Sequence, residues 1–459
     1  MPPYKMWEIM ERANSGPFCE DDDFLYKIFM PKMKEVIKKY GIKYDPDTPV
    51  PADDDLADRV WQAAVEFFLE VGVLNVDTHR RIMVDESELK EALYHAPGRY
   101  LVGAGKDTRL WEHRGVEDAK PPFCIFSPDI TCDEEIFLPM SIAYIQEPLA
   151  DSVCAPILEE SMGLKIKSGT PTEMAGVVEH AMTLRQAAKL AGRPGLFLVA
   201  VGTAQSDTGQ IAVSNDEWGV RHTDGRLIGA LTELKIDNEL LNKIAHCMQF
   251  GCFIGCLSGA IYGGYAGRAE GTAILEVAYH LVGLTVYQAS FQNSFPFHLH
   301  FTSNSGREML WLVSMKYQAL SRNSRLLSTS NGFLNAGPGT EMVLYEAAAH
   351  GLASVVSGGH LWEAAPTHNK YRNYATPLEA RMACEVGHAV ARQGMTRAQA
   401  NEIVNQLLAK YEDQIADAPK GKPFQECYDV RTARPSPWYL DMYRKVKDEI
   451  AAMGVEFLY

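Results

Sequence analysis

Two histidines one residue apart, in FPFHLHF, form a legitimate pair of metal-binding side chains: His298 and His300. On a strand, alternate residues share a face, so both rings would point the same way and could grip a metal ion. A third ligand would be needed. Cys247, Cys252 and Cys256 lie near the preceding strand-like run, at spacings of five and four, unlike a compact Cys-x-x-Cys knuckle. The two rings could equally recognise an anionic group of a substrate, or serve the core.

Aromatic side chains crowd the same region: Tyr287, Phe291, Phe295, Phe297 and Phe301, with Tyr265 and Phe333 at neighbouring strand ends. An aromatic-walled pocket suits a cation, above all a quaternary ammonium that cannot donate hydrogen bonds. Core packing accounts for these residues equally well, because alternate positions on one segment point opposite ways. The stretch GGYAGRAEGT (263–272) lacks the Gly-Lys-Ser/Thr ending of a phosphate loop and permits close packing or approach to a flat cofactor.

A different question comes from GRPGLFLVAVGTAQSDTGQ (192–210). A turn runs into an apolar strand, Leu196 to Val201, and then into small polar residues, the pattern of a buried parallel strand opening at a working face. Yet the strand delivers only Val199, Ala200 and Val201, with no acid, base or nucleophile.

Such positions need a frame. Strand-like runs recur at YLVGAG (100), FCIFSPD (123), VCAPIL (153), GLFLVAV (195), CFIGCLSGAI (252), TVYQASF (285), LLSTSN (326) and SVVSGG (354), with helical stretches between most of them. Eight apolar runs predict a parallel sheet buried on both faces. The count fits an α/β fold of the (β/α)8 TIM-barrel type, with a doubly wound sheet as the alternative. Residues 1–95 read as a helical N-terminal extension, 96–375 as the barrel and 376–459 as a helical C-terminal extension packed on it, all one structural domain.

In a barrel, function collects at the C-terminal strand ends. Those ends carry Asp129, Glu159 and Glu160, Ser206 and Asp207, Ser258, Gln292 and Asn293, Asn331 and His360. Each could instead cap the helix that follows.

At 459 residues, 46% of them hydrophobic, the chain can bury a large core. Its net charge of −15 argues against nucleic acid or an anionic membrane as the main partner. MPPYKMWEIMERANSG has no basic region followed by an apolar core, and no run of about 18 apolar residues occurs, so neither signal peptide nor membrane span is expected. Nine scattered cysteines are expected to be reduced thiols in the cytoplasm.

Read together, DTHR (77–80), AGRPG (191–195), ELKID (233–237), IAH (244–246), GGYAG (263–267), AGP-x-TEM (336–342), EARM (379–382) and FQECYDV (424–430) resemble, in order and gap length, the monomethylamine methyltransferase family of methanogenic archaea. The resemblance runs nearly end to end. It implies a (β/α)8 barrel that passes a methyl group to a cobalt corrinoid protein docked over the barrel mouth. It also implies a homo-oligomer (a hexamer is one form), anaerobic one-carbon metabolism related to methanogenesis, and no cofactor held tightly by this chain.

That family carries pyrrolysine four positions past the final glycine of Ala-Gly-Arg-Pro-Gly, which is Val199 here. Two glutamates that flank pyrrolysine fall on Leu227 and Leu257, and a glutamine beside them becomes Asn331. Valine cannot supply the imine that captures an amine. A quaternary ammonium needs no such handle, since it already carries its charge and leaves as a neutral tertiary amine. Related trimethylamine-methyltransferase-like proteins without pyrrolysine demethylate quaternary amines such as betaines. By analogy, the expected donor is a quaternary or otherwise pre-activated N-methyl amine. Tyr265, Tyr287, Phe291 and Phe333 would hold the cation, Asp129, Glu159 or Asp207 would balance its charge, and His298, His300 or Arg307 would bind a betaine carboxylate. One alternative is a zinc-assisted transfer from a thiol or alcohol methyl donor through His298, His300 and Cys256. The other is a non-catalytic protein that binds a methylated amine or a corrinoid partner.

Overall fold

The computed structural model describes residues 4–199, 202–366 and 371–458, so Ala200 and Val201 lie outside the described residues. Eight parallel strands form one sheet: β1 (Cys124–Phe126), β2 (Ser152–Val153), β3 (Phe197–Leu198), β4 (Gly225–Gly229), β5 (Phe253–Ser258), β6 (Phe291–Ser294), β7 (Ser328–Leu334) and β8 (His360–Pro366). Their order is β3-β2-β1-β8-β7-β6-β5-β4. A parallel bridge from Val199 to Gly225 joins the two edge strands and closes the barrel. The valine in question is therefore also the seam of the fold.

Each strand leads into a helix: α1 (Glu134–Ile145), α2 (Pro171–Leu190), α3 (Asp207–Val213), α4 (Asn238–Phe250), α5 (Ala269–Thr285), α6 (Arg307–Asn323), α7 (Glu341–Val356) and α8 (Pro377–Gln393). Two of these, α5 and α7, are apolar nearly all round because they are covered twice. The N-terminal helix Asp54–Val71, started by the Asp53 side chain accepting the Leu56 amide, packs over α5 and α6. Helices α8, Arg397–Tyr411 and Pro437–Ala452 pack over α7. No helix among the described residues is long and apolar enough to cross a membrane.

The barrel stands, but three of the eight expected strands need correction. YLVGAG does not enter it: Arg99–Val102 pairs antiparallel with Arg109–Glu112. The hairpin covers the N-terminal end of the barrel, where the Ala104 amide donates to the Gly195 carbonyl at 2.8 Å. Its Trp111 stacks on Phe123 at 4.4 Å and lies 5.0 Å from Phe291. The missing strand is GRLIG, β4, whose central arginine disguises it. Arg226 is buried beneath the helices, donating to Gln210 Oε1 at 3.1 Å, Ser214 Oγ at 2.8 Å and the Val220 carbonyl at 3.2 Å.

The other two differences are of phase. TVYQASF begins inside α5, and only Phe291 starts the strand; SVV is the last turn of α7, which ends before Gly358 at φ 95°. His360 thus opens β8 at the N-terminal end, where its Nδ1 accepts the Phe123 amide at 3.0 Å. It is not a working-face residue.

Candidate functional site

Strand alternation sorts the inner from the outer residues. On β5, Ile254 and Cys256 pack outward against the helices, while Phe253 belongs to the interior cluster of Phe197, Val199, Phe291, Trp111, Phe123, Trp362, Ile125 and Cys154. Leu257 therefore faces inward, and so does Leu227, which packs on the same cluster. Register carries this layer round the barrel: Leu257 lies opposite Asn293, and Asn293 opposite Thr329. A Cβ at Gly255 would fall 2.4 Å from Phe291 Cζ, so glycine there lets the Phe291 ring cross the lumen as its floor.

Above that floor the lumen has two unlike walls. Val199, Leu227 and Leu257, on or just beyond β3, β4 and β5, are apolar. The facing wall is a hydrogen-bonded chain. Thr329 Oγ1 donates to Asn293 Oδ1 at 3.2 Å, and Asn293 Nδ2 donates to Asn331 Oδ1 at 2.6 Å. Asn331 Nδ2 donates to Asp129, which also accepts from Ser127 Oγ at 2.5 Å. Asn304 holds this wall, its Nδ2 on the Asn331 carbonyl at 2.7 Å and its Oδ1 on the Phe333 amide at 2.8 Å, across the bulge in β7. Burial pushes the Asp129 carboxyl up to about 6, against the opposing pull of the Ser127 hydroxyl. Ser127 and Cys154 belong to this layer and were not singled out from the sequence. The signal was present in FCIFSPD, where Ile125 and Ser127 share a face.

Other predicted residues lie elsewhere. Phe333 packs on Phe295 at 5.1 Å and Phe295 on Phe297 at 6.2 Å, an aromatic rim at the strand ends. Tyr287 is buried among the helices with its hydroxyl on the Gly229 carbonyl at 3.0 Å, so it is core, not pocket wall. Tyr265 is 41% exposed, edge-on to Tyr26 of the N-terminal region. Asp207 takes the Thr208 amide at 2.6 Å and Asn242 Nδ2 at 3.1 Å at the start of α3. Glu159 is paired with Arg372 at 2.5 Å, and the same guanidinium reaches Glu160 at 3.7 Å. Neither Asp207 nor Glu159 joins Asp129.

The His-x-His pair is not a strand pair. The strand ends at His298, and His300 is exposed in the following turn. His298 is stacked between Tyr262 at 5.0 Å and Phe301 at 4.6 Å, and its Nδ1 accepts the amides of His300 and Phe301. Burial holds the imidazole below its usual pKa. Cys247 and Cys256 lie in the layer between barrel and helices. Among the described residues no three His, Cys, Asp or Glu side chains converge on a metal position.

Arg307 is also committed elsewhere. Its guanidinium makes a bidentate pair with Glu412 at 3.0 and 2.8 Å and donates to Asn405 Oδ1 at 2.6 Å, tying α6 to the C-terminal helices. Arg307→Ala is expected to lower the thermal midpoint by roughly 2–4 °C, read by calorimetry, while KM for a ligand of the barrel mouth stays unchanged. A tenfold rise in KM would return Arg307 to the pocket.

A closed parallel barrel whose inner layer turns from an aromatic floor to a half-polar mouth at the C-terminal strand ends is the enzyme form of the (β/α)8 fold. The family model described as Monomethylamine methyltransferase MtmB matches residues 4–455. Similar proteins include Monomethylamine methyltransferase MtmB2 of Methanosarcina acetivorans and MtmB of Methanosarcina mazei. Each is 32% identical over 457 residues, covering 99% of this chain and 99% of the relative. The crystal structure of the Methanosarcina barkeri monomethylamine methyltransferase (MtmB) matches with a TM-score of 0.94 at 31% identity, over 98% of both chains. The chain belongs to the monomethylamine methyltransferase MtmB family and is a methyltransferase.

Proposed function

We propose that this protein transfers a methyl group from a quaternary, pre-activated N-methyl amine to the Co(I) of a corrinoid protein, without pyrrolysine. The observation that carries the reading is the apolar wall of Val199, Leu227 and Leu257, at the positions where the family resemblance puts the imine-bearing residue and its two glutamates. An amine with N–H bonds needs covalent capture and proton handling before its methyl can leave, and aliphatic side chains supply neither. A quaternary ammonium needs only orientation and exclusion of water. The Co(I) electron pair forms the new carbon–cobalt bond, and the carbon–nitrogen pair stays on nitrogen as a neutral tertiary amine. No proton moves. The corrinoid is here a co-substrate presented by the partner protein at the barrel mouth.

The test is spectroscopic. Reduced cobalamin and the purified protein are mixed with quaternary amines or with mono-, di- and trimethylamine, and conversion to methyl-Co(III) is followed. Methylation from a quaternary donor with the simpler amines silent is the expected result. Turnover of monomethylamine would overturn the reading. Tight binding of an amine with no transfer, even with the cognate corrinoid protein, would favour the non-catalytic alternative.

A further inference from the structure

Resting on that reading, we propose that Asp129 is the counter-charge for the substrate's ammonium group, and that the pocket takes carboxylate-free tetraalkylammonium ions in preference to betaines. Asp129 is half-buried in the lumen, and its support differs from that of the fully buried carboxylates of this chain. Glu276 faces Lys316, Glu147 faces Arg381 and Asp224 faces Arg185. Glu173 and Glu346 have no cation but each accepts backbone amides, from Gly169, Gln205 and Ser206 in one case and from Asn335 and Ala336 in the other. Among the described residues Asp129 has neither kind of support. Its partners are two neutral side chains, Ser127 and Asn331, and no cation among the described residues lies against it. A carboxylate held in a lumen without counter-charge is suited to a cationic ligand.

The surroundings fix the class of cation. The opposite wall, Val199, Leu227 and Leu257, offers methyl and methylene surface suited to N-alkyl groups and no acceptor for an N–H. Of the side chains expected to receive a betaine carboxylate, Arg307 is engaged by Glu412, His298 accepts two backbone amides on its Nδ1, and His300 is exposed in the turn beyond the strand, outside the lumen. A betaine would bring its own carboxylate into the same lumen as Asp129, at a Coulomb cost that a simple tetraalkylammonium avoids.

Among the described residues, the groups facing Asp129 from neighbouring elements are Ser127, Asn331, the Cys154 thiol beyond β2 and the Tyr144 hydroxyl on α1. Burial pushes the thiol and the phenol upward, so both stay neutral near pH 7. Asp129 is left to titrate there alone among them. Binding of a cation favours its ionised form and expels the proton it carries when empty.

Calorimetry with tetramethylammonium chloride tests this at about pH 6, where the carboxyl is near half-protonated, in two buffers of different ionisation enthalpy. Binding should release roughly half a proton per site. Asp129→Asn should weaken binding roughly 10- to 100-fold and abolish the release. Asp129→Glu, which keeps the charge, should retain the proton signal and guards against misreading a folding defect. Glycine betaine should bind at least roughly tenfold more weakly than tetramethylammonium. Betaine binding as tightly as tetramethylammonium would overturn the inference, and so would D129N binding with unchanged affinity. If betaine is also a methyl donor while monomethylamine is silent, the quaternary-donor reading survives and only this inference fails. If monomethylamine alone is turned over, both fall.

Discussion

Lys316→Met should lower the free energy of unfolding by about 3–5 kcal/mol, the usual cost of leaving one member of a buried ion pair alone. Lys316 and Glu276 are both wholly inaccessible. The ammonium donates to the Ser294 carbonyl at 3.1 Å and to Ser294 Oγ at 3.0 Å, and lies 3.7 Å from Glu276 Oε2. Glu276 in turn accepts the Ala260 amide at 2.9 Å and the Ser294 hydroxyl at 2.5 Å. Burial drives the lysine down to about 8 and the glutamate up, so each charge is kept by the other. Methionine fills the same volume but strands Glu276. Denaturant titration gives the single-variant loss, and Lys316→Met with Glu276→Gln should recover a large part of it. A single-variant loss below about 1 kcal/mol would mean that Glu276 simply takes up a proton there. Ala260 and Ser294 follow or end β5 and β6, next to the inward-facing Leu257 and Asn293, so this pair anchors the strand ends that carry the site.

Asn331→Ala is expected to reduce kcat/KM for the methyl donor roughly 10- to 100-fold at neutral pH, the range for losing a hydrogen bond to a charged group. Asn331 Nδ2 supplies one of the two donors to Asp129 and its Oδ1 receives Asn293, so alanine breaks the chain in two places. The sign of the accompanying pH effect follows from which form of Asp129 is used. On the proposed function, the ionised carboxylate attracts the cationic donor and is populated above its pKa. Removing a donor that favours the ionised form raises that pKa beyond its present value of about 6. The acid limb of the kcat/KM profile should therefore move to higher pH, with part of the loss recovered at alkaline pH. A uniform loss with an unmoved limb would assign Asn331 a packing role only.

Much of the fold was legible from composition and periodicity. Short apolar runs separated by helical stretches announced a parallel sheet, and FLV (197–199) and FIGCLS became β3 with its seam residue and β5. The errors have a common physical origin: local pattern does not record what covers a residue. YLVGAG is as apolar as a barrel strand but closes the barrel's end with a hairpin. GRLIG contains an arginine that only a pocket lined by Gln210, Ser214 and the Val220 carbonyl makes tolerable. SVV reads as strand because β-branched residues favour it, yet burial on all sides of α7 keeps those residues helical.

The site divides along the same line. Sequence alone determined the family, which rests on residue identity and order, and raised the expectation that Val199 stands where the family carries its reactive residue. It also named Asp129 and Asn331, since strand ends are marked by the switch from apolar to polar residues, and Phe291 and Phe333, from the crowding of aromatic residues there. Only the tertiary structure decided which candidates meet. Glu159, Asp207, Tyr287 and Arg307 are bound to partners distant in sequence, Arg372, Asn242, Gly229 and Glu412. Asp129 and Asn331, 202 positions apart, are joined because β1 and β7 flank β8 in the closed barrel. A side chain's type and local spacing fix the chemistry it can do, but closure of the barrel decides what it does it with.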